Sequence, residues 1–171
     1  MLNQDEIHAL RNAWRLSGPD WNRRIQAANL LGDVRAAEAV PALEAVAIEN
    51  KHPELVKAAI RSLGQMQNET ALMAVGQVLE CTSAEAPVTQ CLEYLLPALK
   101  NGSPAARRAI TVQCDRCFPI LINRARQGDK AAGQAILQMG EPGIHKLMDA
   151  LLEPDMRVIA TSLLKSLENQ A

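Results

Sequence analysis

Hydrophobic residues return at helical spacing in almost every segment of this 171-residue chain, and no stretch alternates as a strand would. Ile7, Leu10 and Trp14 fall at i, i+3 and i+7, and Gly18-Pro19 ends that first helix. Asp20 is placed to cap a second helix, in which Trp21, Ile25, Ala28 and Leu31 share one face until Gly32 supplies a left-handed stop. In the third, Val40, Leu43, Val46 and Ala47 form the apolar stripe. Pro41, tolerated only in a first turn, sets its start near Ala39. Pro53 opens a helix that ends at Gly64, and Leu72, Val75 and Leu79 point inward from a helix over 69–80. Thr82 with Glu85 three residues on reads as a capping box for a helix that runs to Lys100. Asn101-Gly102-Ser103-Pro104 is a stop followed by a restart, with Ser103 as the cap. Further helices are expected over 104–114, 116–127, 130–139, 142–152 and 155–168, about eleven in all.

This punctuation recurs at a fixed interval. Ala27 and Ala59, Leu31 and Leu63, Gly32 and Gly64, and Leu43 and Val75 are each 32 positions apart. Ala27-Ala28 and the Val-Pro-Ala-Leu of 40–43 share their internal spacing with Ala105-Ala106 and the Phe-Pro-Ile-Leu of 118–121. The pattern is weakest over 81–102, where one helix is missing or merged and Pro97 falls late in its segment. Two short helices cannot bury an apolar face alone, so units of this kind must stack. The expectation is an all-α fold, an α-solenoid of about five helical hairpins. It forms one domain over 1–171, with capping helices at 1–18 and 155–171.

A helix ending in Leu-Gly and an acidic residue, followed by Ala-Val-Pro-Ala-Leu, resembles the HEAT repeat of the phycobilisome-lyase type. The residues concerned are Leu31-Gly32-Asp33 and Ala39-Val40-Pro41-Ala42-Leu43, with looser echoes at 63–66 and 138–158. The resemblance implies protein binding along a concave surface lined by the second helix of each pair. Members of that family include bilin-attaching subunits and adaptors of many kinds, and a related helical-repeat family acts on alkylated DNA. The repeat alone selects none of these tasks.

Composition sharpens the packing problem. The chain is 48% hydrophobic but only 2% aromatic, so its core must be built from small and aliphatic side chains at close range. Net charge is −1, which gives no global attraction to nucleic acid or an anionic membrane. Charge is nevertheless segregated. Residues 38–99 carry eight acids (Glu38, Glu44, Glu49, Glu54, Glu69, Glu80, Glu85, Glu93) against Lys51, Lys57 and Arg61. Residues 100–130 carry seven bases (Lys100, Arg107, Arg108, Arg116, Arg124, Arg126, Lys130) against Asp115 and Asp129. The N-terminal residues have neither a basic leader nor a continuous apolar run, and no stretch approaches the ~20 apolar residues of a membrane span. With four cysteines read as reduced thiols, the expected location is the cytoplasm.

Cys114-Asp115-Arg116-Cys117 is the one motif with possible metal or redox chemistry, with Cys81 and Cys91 as further sulfurs. In the repeat register, however, Cys114 and Cys117 replace Ala36 and Ala39, and free cysteine serves as a small core residue. His8, His52 and His145 are scattered and read as surface or capping residues. No nucleophile elbow, zinc-protease motif or phosphate loop is present, so neither catalytic residues nor a cofactor or metal site is expected. The helical faces opposite the apolar stripes present Glu38, Glu49, Gln77, Arg116, Asn123, Gln127, Lys146 and Asp149, a mixed-charge set suited to a charged protein partner. The leading expectation is a non-enzymatic adaptor or scaffold. A bilin-handling subunit that takes a small-molecule chromophore comes second and a DNA-binding repeat protein third.

Overall fold

A computed structural model describes residues 20–49, 52–82 and 84–168. Ten α-helices and one short 3-10 turn (Ala37–Ala39) account for its regular structure, with no strand among the described residues. They are α1 (Trp21–Asp33), α2 (Val40–Glu49), α3 (Pro53–Met66), α4 (Glu69–Cys81) and α5 (Glu85–Lys100), then α6 (Pro104–Val112), α7 (Cys114–Arg126), α8 (Lys130–Gln138), α9 (Glu141–Ala150) and α10 (Arg157–Glu168). The helix expected over 1–18 lies outside the described residues. The chain divides into two compact units, one up to Leu95 and one from Leu96, so the boundary falls within α5.

In the first unit α1 packs on α3 and α2 on α4, which makes two layers of alternating first and second helices. Leu31, Leu43, Ile60, Leu63 and Leu79 are fully buried between them, together with Ala28, Ala59 and Ala71. The second unit alternates in the same way: α6 meets α8, α8 meets α10, and α7 meets α9. Its core is Ile110, Leu121, Ile136 and Leu147.

Capping follows the sequence closely. The Asp20 carboxylate accepts from the amides of Asn22 (2.9 Å) and Arg23 (3.3 Å). Ser103 Oγ accepts from Ala106 N at 3.2 Å, and Pro53 and Pro104 sit in first turns. Asp129 does the same for α8, accepting from Ala131 N (3.0 Å) and Ala132 N (3.2 Å). Its other oxygen takes the Arg124 Nε at 2.9 Å, tying the last turn of α7 to the first of α8. Burial raises the Asp129 carboxyl, but the Ala132 amide, Arg124 and the Ala131 amide together outweigh it, so the net shift is downward.

Of four expectations from the sequence, the third is met and the other three are corrected. Gly32 and Gly64 are not left-handed stops; both lie within helices, and the left-handed residues are Arg35 (φ 51°) and Gln67 (φ 52°), three positions later in each repeat. What the glycines supply is room. A Cβ on Gly32 would fall 2.7 Å from the Cα of Ser62, and one on Gly64 would overlap the Tyr94 ring. Gly133 meets Leu163 in the same manner, 30 residues on. Second, Thr82 does not open a capping box: it closes α4, and α5 starts at Glu85 itself. Third, the segment 81–102 holds the single helix expected to run to Lys100, uninterrupted, with Pro97 inside it. Pro97 and Glu93, whose carbonyl lacks the usual donor, are both exposed, so water can serve that carbonyl. Fourth, α7 starts at Cys114, two residues early, and carries Pro119 in its interior on an exposed face.

Arg35 occupies a Schellman geometry, with Ala36 N donating to Leu31 O at 3.1 Å, the pattern seen again around Gly102 and Gly128 with glycine in the left-handed place. Arg35→Gly should therefore raise stability by about 0.5–1 kcal/mol. Gly32→Ala should lower it by about 1–2 kcal/mol, because overpacking against Ser62 exceeds the ~1 kcal/mol that alanine gains as a helix former. Chemical denaturation of both variants checks the pair of opposite signs. Because the folded Asp129 carboxyl sits below its unfolded value of ~3.9, its stabilisation is complete above that pH and is lost as pH falls through the folded value. Asp129→Asn, which keeps an N-cap oxygen, should accordingly show a shallower loss of thermal stability between about pH 5 and 2 than the parent chain.

Candidate functional site

The second-helix layer of the first unit turns Leu43, Val46 and Ala47 of α2 and Leu72, Val75, Val78 and Leu79 of α4 inward. Opposite them, Pro41, Ala45, Ile48 and Glu49 of α2 and Met73, Gln77 and Glu80 of α4 are exposed. The 32-residue register pairs Pro41 with Met73 and Ala45 with Gln77 along this face. Met73 is 62% exposed and Ile48 37%, which makes an apolar strip on a helical pair that carries Glu44, Glu49, Glu69 and Glu80 and neither lysine nor arginine. Glu38 adds a fifth carboxylate, exposed in the 3-10 turn that enters α2. Gln77 Nε2 lies 3.9 Å from Cys81 Sγ, a weak contact that leaves its amide oriented along the face.

The sequence candidates divide between the units: Glu38, Glu49 and Gln77 lie in the first, and the other five in the second. There Arg116, Asn123 and Gln127 are exposed on α7 and its C-cap, and Asp149 is exposed on α9. Asn123 Oδ1 accepts from an Arg126 guanidinium nitrogen at 3.1 Å. Lys146 reaches across from α9 to place Nζ 2.8 Å from Asp115 Oδ1. Hydrogen bonding to Asp115 raises the ammonium, and the same bond lowers the carboxyl of its partner, which is 85% exposed and hence strongly screened. Asp115 was legible only as the inside of the cysteine motif; its spacing of 31 residues from Lys146, one short of the 32-residue repeat, was the available signal.

Between α3 and the part of α5 before Leu95 lies a groove of about 850 Å³ that sequence reasoning did not anticipate. Its α3 wall carries Lys57 and Arg61, and its α5 wall Glu85, Glu93 and Tyr94. The Gln90 amide bridges the walls by donating to Lys57 O at 2.8 Å. Burial pushes the Tyr94 hydroxyl up, moderated by Arg61, which hydrogen-bonds it. A different arrangement fills the junction of α1 with α3: the Trp21 ring stacks on His52 at 5.1 Å, and Arg24 lies over the same indole at 4.6 Å. This reverses the expected face of α1, since Trp21 is 36% exposed whereas Arg24 is buried. It also gives His52 a stacking role in place of a side-chain cap.

Cys91, Cys114 and Cys117 are buried and Cys81 is exposed, all as free thiols. Burial, then Cys114, pushes the Cys117 thiol up to about 12 against the opposing effect of Arg116, and burial followed by Asp115 raises Cys114. Both shifts favour the thiol over the thiolate, so neither cysteine is activated as a nucleophile by its surroundings. His145 is exposed, 3.7 Å from Glu141; His8 lies outside the described residues. Brief alkylation of the native chain with iodoacetamide should accordingly modify Cys81 first, with the other three cysteines labelled only after denaturation, as mapped by peptide mass spectrometry.

Residues 11–88 match the family model for HEAT repeats. No curated protein and no solved structure matches the chain. The matched segment covers less than half of the chain and contains the α1/α2 and α3/α4 hairpins.

Proposed function

We propose that the protein is a non-enzymatic adaptor that holds another protein against its second-helix layers. HEAT repeats serve in general as protein-interaction scaffolds, and the observation that carries this reading is the α2/α4 face. A strip containing Ile48 and Met73 stands exposed on helices whose only charges are carboxylates. Apolar area supplies binding energy there, and the glutamates steer and orient a basic partner. Among the described residues no helix is long and apolar enough to cross a membrane. The proposal places the adaptor in the cytoplasm, with the phycobilisome-lyase subtype of repeat resting on Leu31-Gly32-Asp33 and Ala39-Val40-Pro41-Ala42-Leu43.

The test is affinity capture from the source cell with the parent chain and two surface variants, Met73→Asp and Glu38→Lys. Recovery of the partner should fall by about tenfold with Met73→Asp and by about threefold with Glu38→Lys, and more steeply as salt is lowered for the charge variant. Thermal stability should stay within about 0.5 kcal/mol of the parent, since both positions are exposed. Equal recovery by all three chains would remove this face from the proposal.

A further inference from the structure

We infer that the groove between α3 and α5 receives an aromatic side chain accompanied by a basic one, presented by a helix of a partner protein. The reason lies in the 32-residue register. The α1–α3 and α3–α5 junctions are equivalent positions in the stack, but they are filled differently. In the first, Trp21 and His52 stack, and Arg24 covers the indole. In the second, the residues 32 positions later are Pro53, Ala84 and Val56. All three line the groove. The internal aromatic pair and its cation have thus been replaced by small apolar residues, and the vacated space is open to solvent.

Two further differences fit the same occupant. Where the first junction has Ser62, whose small hydroxyl lets the backbones touch, the second has Tyr94, whose ring spans the space above Gly64 and holds the helices apart. The walls then meet at Tyr94 and at the Gln90 bridge to Lys57, and the groove opens toward Pro53 and Ala84 as a wedge. The rim charges also differ: Glu54, Glu85 and Glu93 stand at the positions of Asn22, Pro53 and Arg61, while Lys57 and Arg61, at the positions of Ile25 and Asn29, carry the opposite charge further along the α3 wall. An indole or phenyl ring entering the wedge would contact Pro53, Val56 and Ala84, while its basic neighbour would meet Glu54 and Glu85. A Trp and an Arg three residues apart, the spacing of Trp21 and Arg24, lie on one face of a helix and deliver both groups together.

This site is separate from the α2/α4 face, so each can fail alone. The smallest probe of the aromatic and basic pair is tryptamine, with indole-3-propionate as the same ring carrying the opposite charge. Titration of the full chain followed by amide NMR should show saturable shifts at Val56, Ala84, Glu85 and Tyr94. Half-saturation on the order of millimolar is expected for a single ring's worth of contact. Tryptamine should bind at least about threefold more tightly than indole-3-propionate. Ala84→Trp should abolish the shifts by filling the wedge. Should that variant fail to fold, the Glu54→Gln, Glu85→Gln chain should retain ring binding and lose the preference between probes. Equal affinity for the two probes, shifts confined to residues outside α3 and α5, or no saturation would overturn the inference. Saturation at micromolar tryptamine would reassign the groove to a free aromatic amine and overturn the protein occupant.

Discussion

The close approach of consecutive first helices, at a position that tolerates no Cβ, is the constraint on which the first unit depends. Helices ordinarily pack with axes 8–10 Å apart, separated by side chains. At Gly32 the Cα of Ser62 itself occupies the space a Cβ would need, so no rotamer change relieves the crowding. Ser62 gains from this proximity. Its hydroxyl lies 2.7 Å from Ala28 O on α1 and 2.9 Å from Ala58 O in its own helix, and donates between them without leaving α3 short of packing. Ala27, Ala28, Ala58 and Ala59 are buried in the same layer. Small side chains at short range supply the dispersion contact that large rings supply elsewhere, and this reconciles a core with so few aromatics.

The same contact fixes what the surface can present. Once Gly32 is seated on Ser62, α1 and α3 have one relative register, and their partner helices inherit it through the hairpins. Pro41 and Met73, or Ala45 and Gln77, then stand in line on the second-helix layer because the first-helix layer cannot slide. Left-handed residues at Arg35 and Gln67 turn the chain at matching points of the repeat, although the first connection continues through a 3-10 turn and the second enters α4 directly. The exposed face is in this sense a consequence of the buried one.

Most of the architecture was legible in the sequence, because caps, first-turn prolines and the 3.6-residue stripe are local signals. Asp20, Ser103, Pro53 and Pro104 do what their positions imply. The glycines misled for a physical reason: a residue chosen for lacking a Cβ and one chosen for a positive φ are the same letter, and only the helix packed against it tells them apart. Gly102 and Gly128, at φ 85° and 97° with no atom within 4 Å of where a Cβ would stand, are the second kind; Gly32 and Gly64 are the first. Trp21 and Arg24 exchanged their expected environments because an indole with a cation over its face can sit at a junction's edge, a pairing that hydrophobic periodicity does not encode. Glu49, Gln77, Asn123 and Asp149 stand on exposed helix faces as their spacing implied, but Asp115 as the partner of Lys146 needed the distance between two helices.

The α3–α5 groove was invisible for a different reason, and that reason bears on how repeat proteins come to be selective. Reading a repeat means looking for what returns, and every inference from Gly32 to Gly64 or Leu43 to Val75 gains strength from sameness. A surface that merely repeated would offer a ligand the same contacts at successive registers and could not choose among them. Selectivity has to come from positions where equivalent residues differ: Ser62 against Tyr94, Trp21 against Pro53, His52 against Ala84. Those substitutions leave the buried Leu31 and Leu63 positions untouched, so the stack is preserved while one junction is closed and the next is opened. The retained residues hold the helices in register, and the changed ones leave the groove between α3 and α5 open.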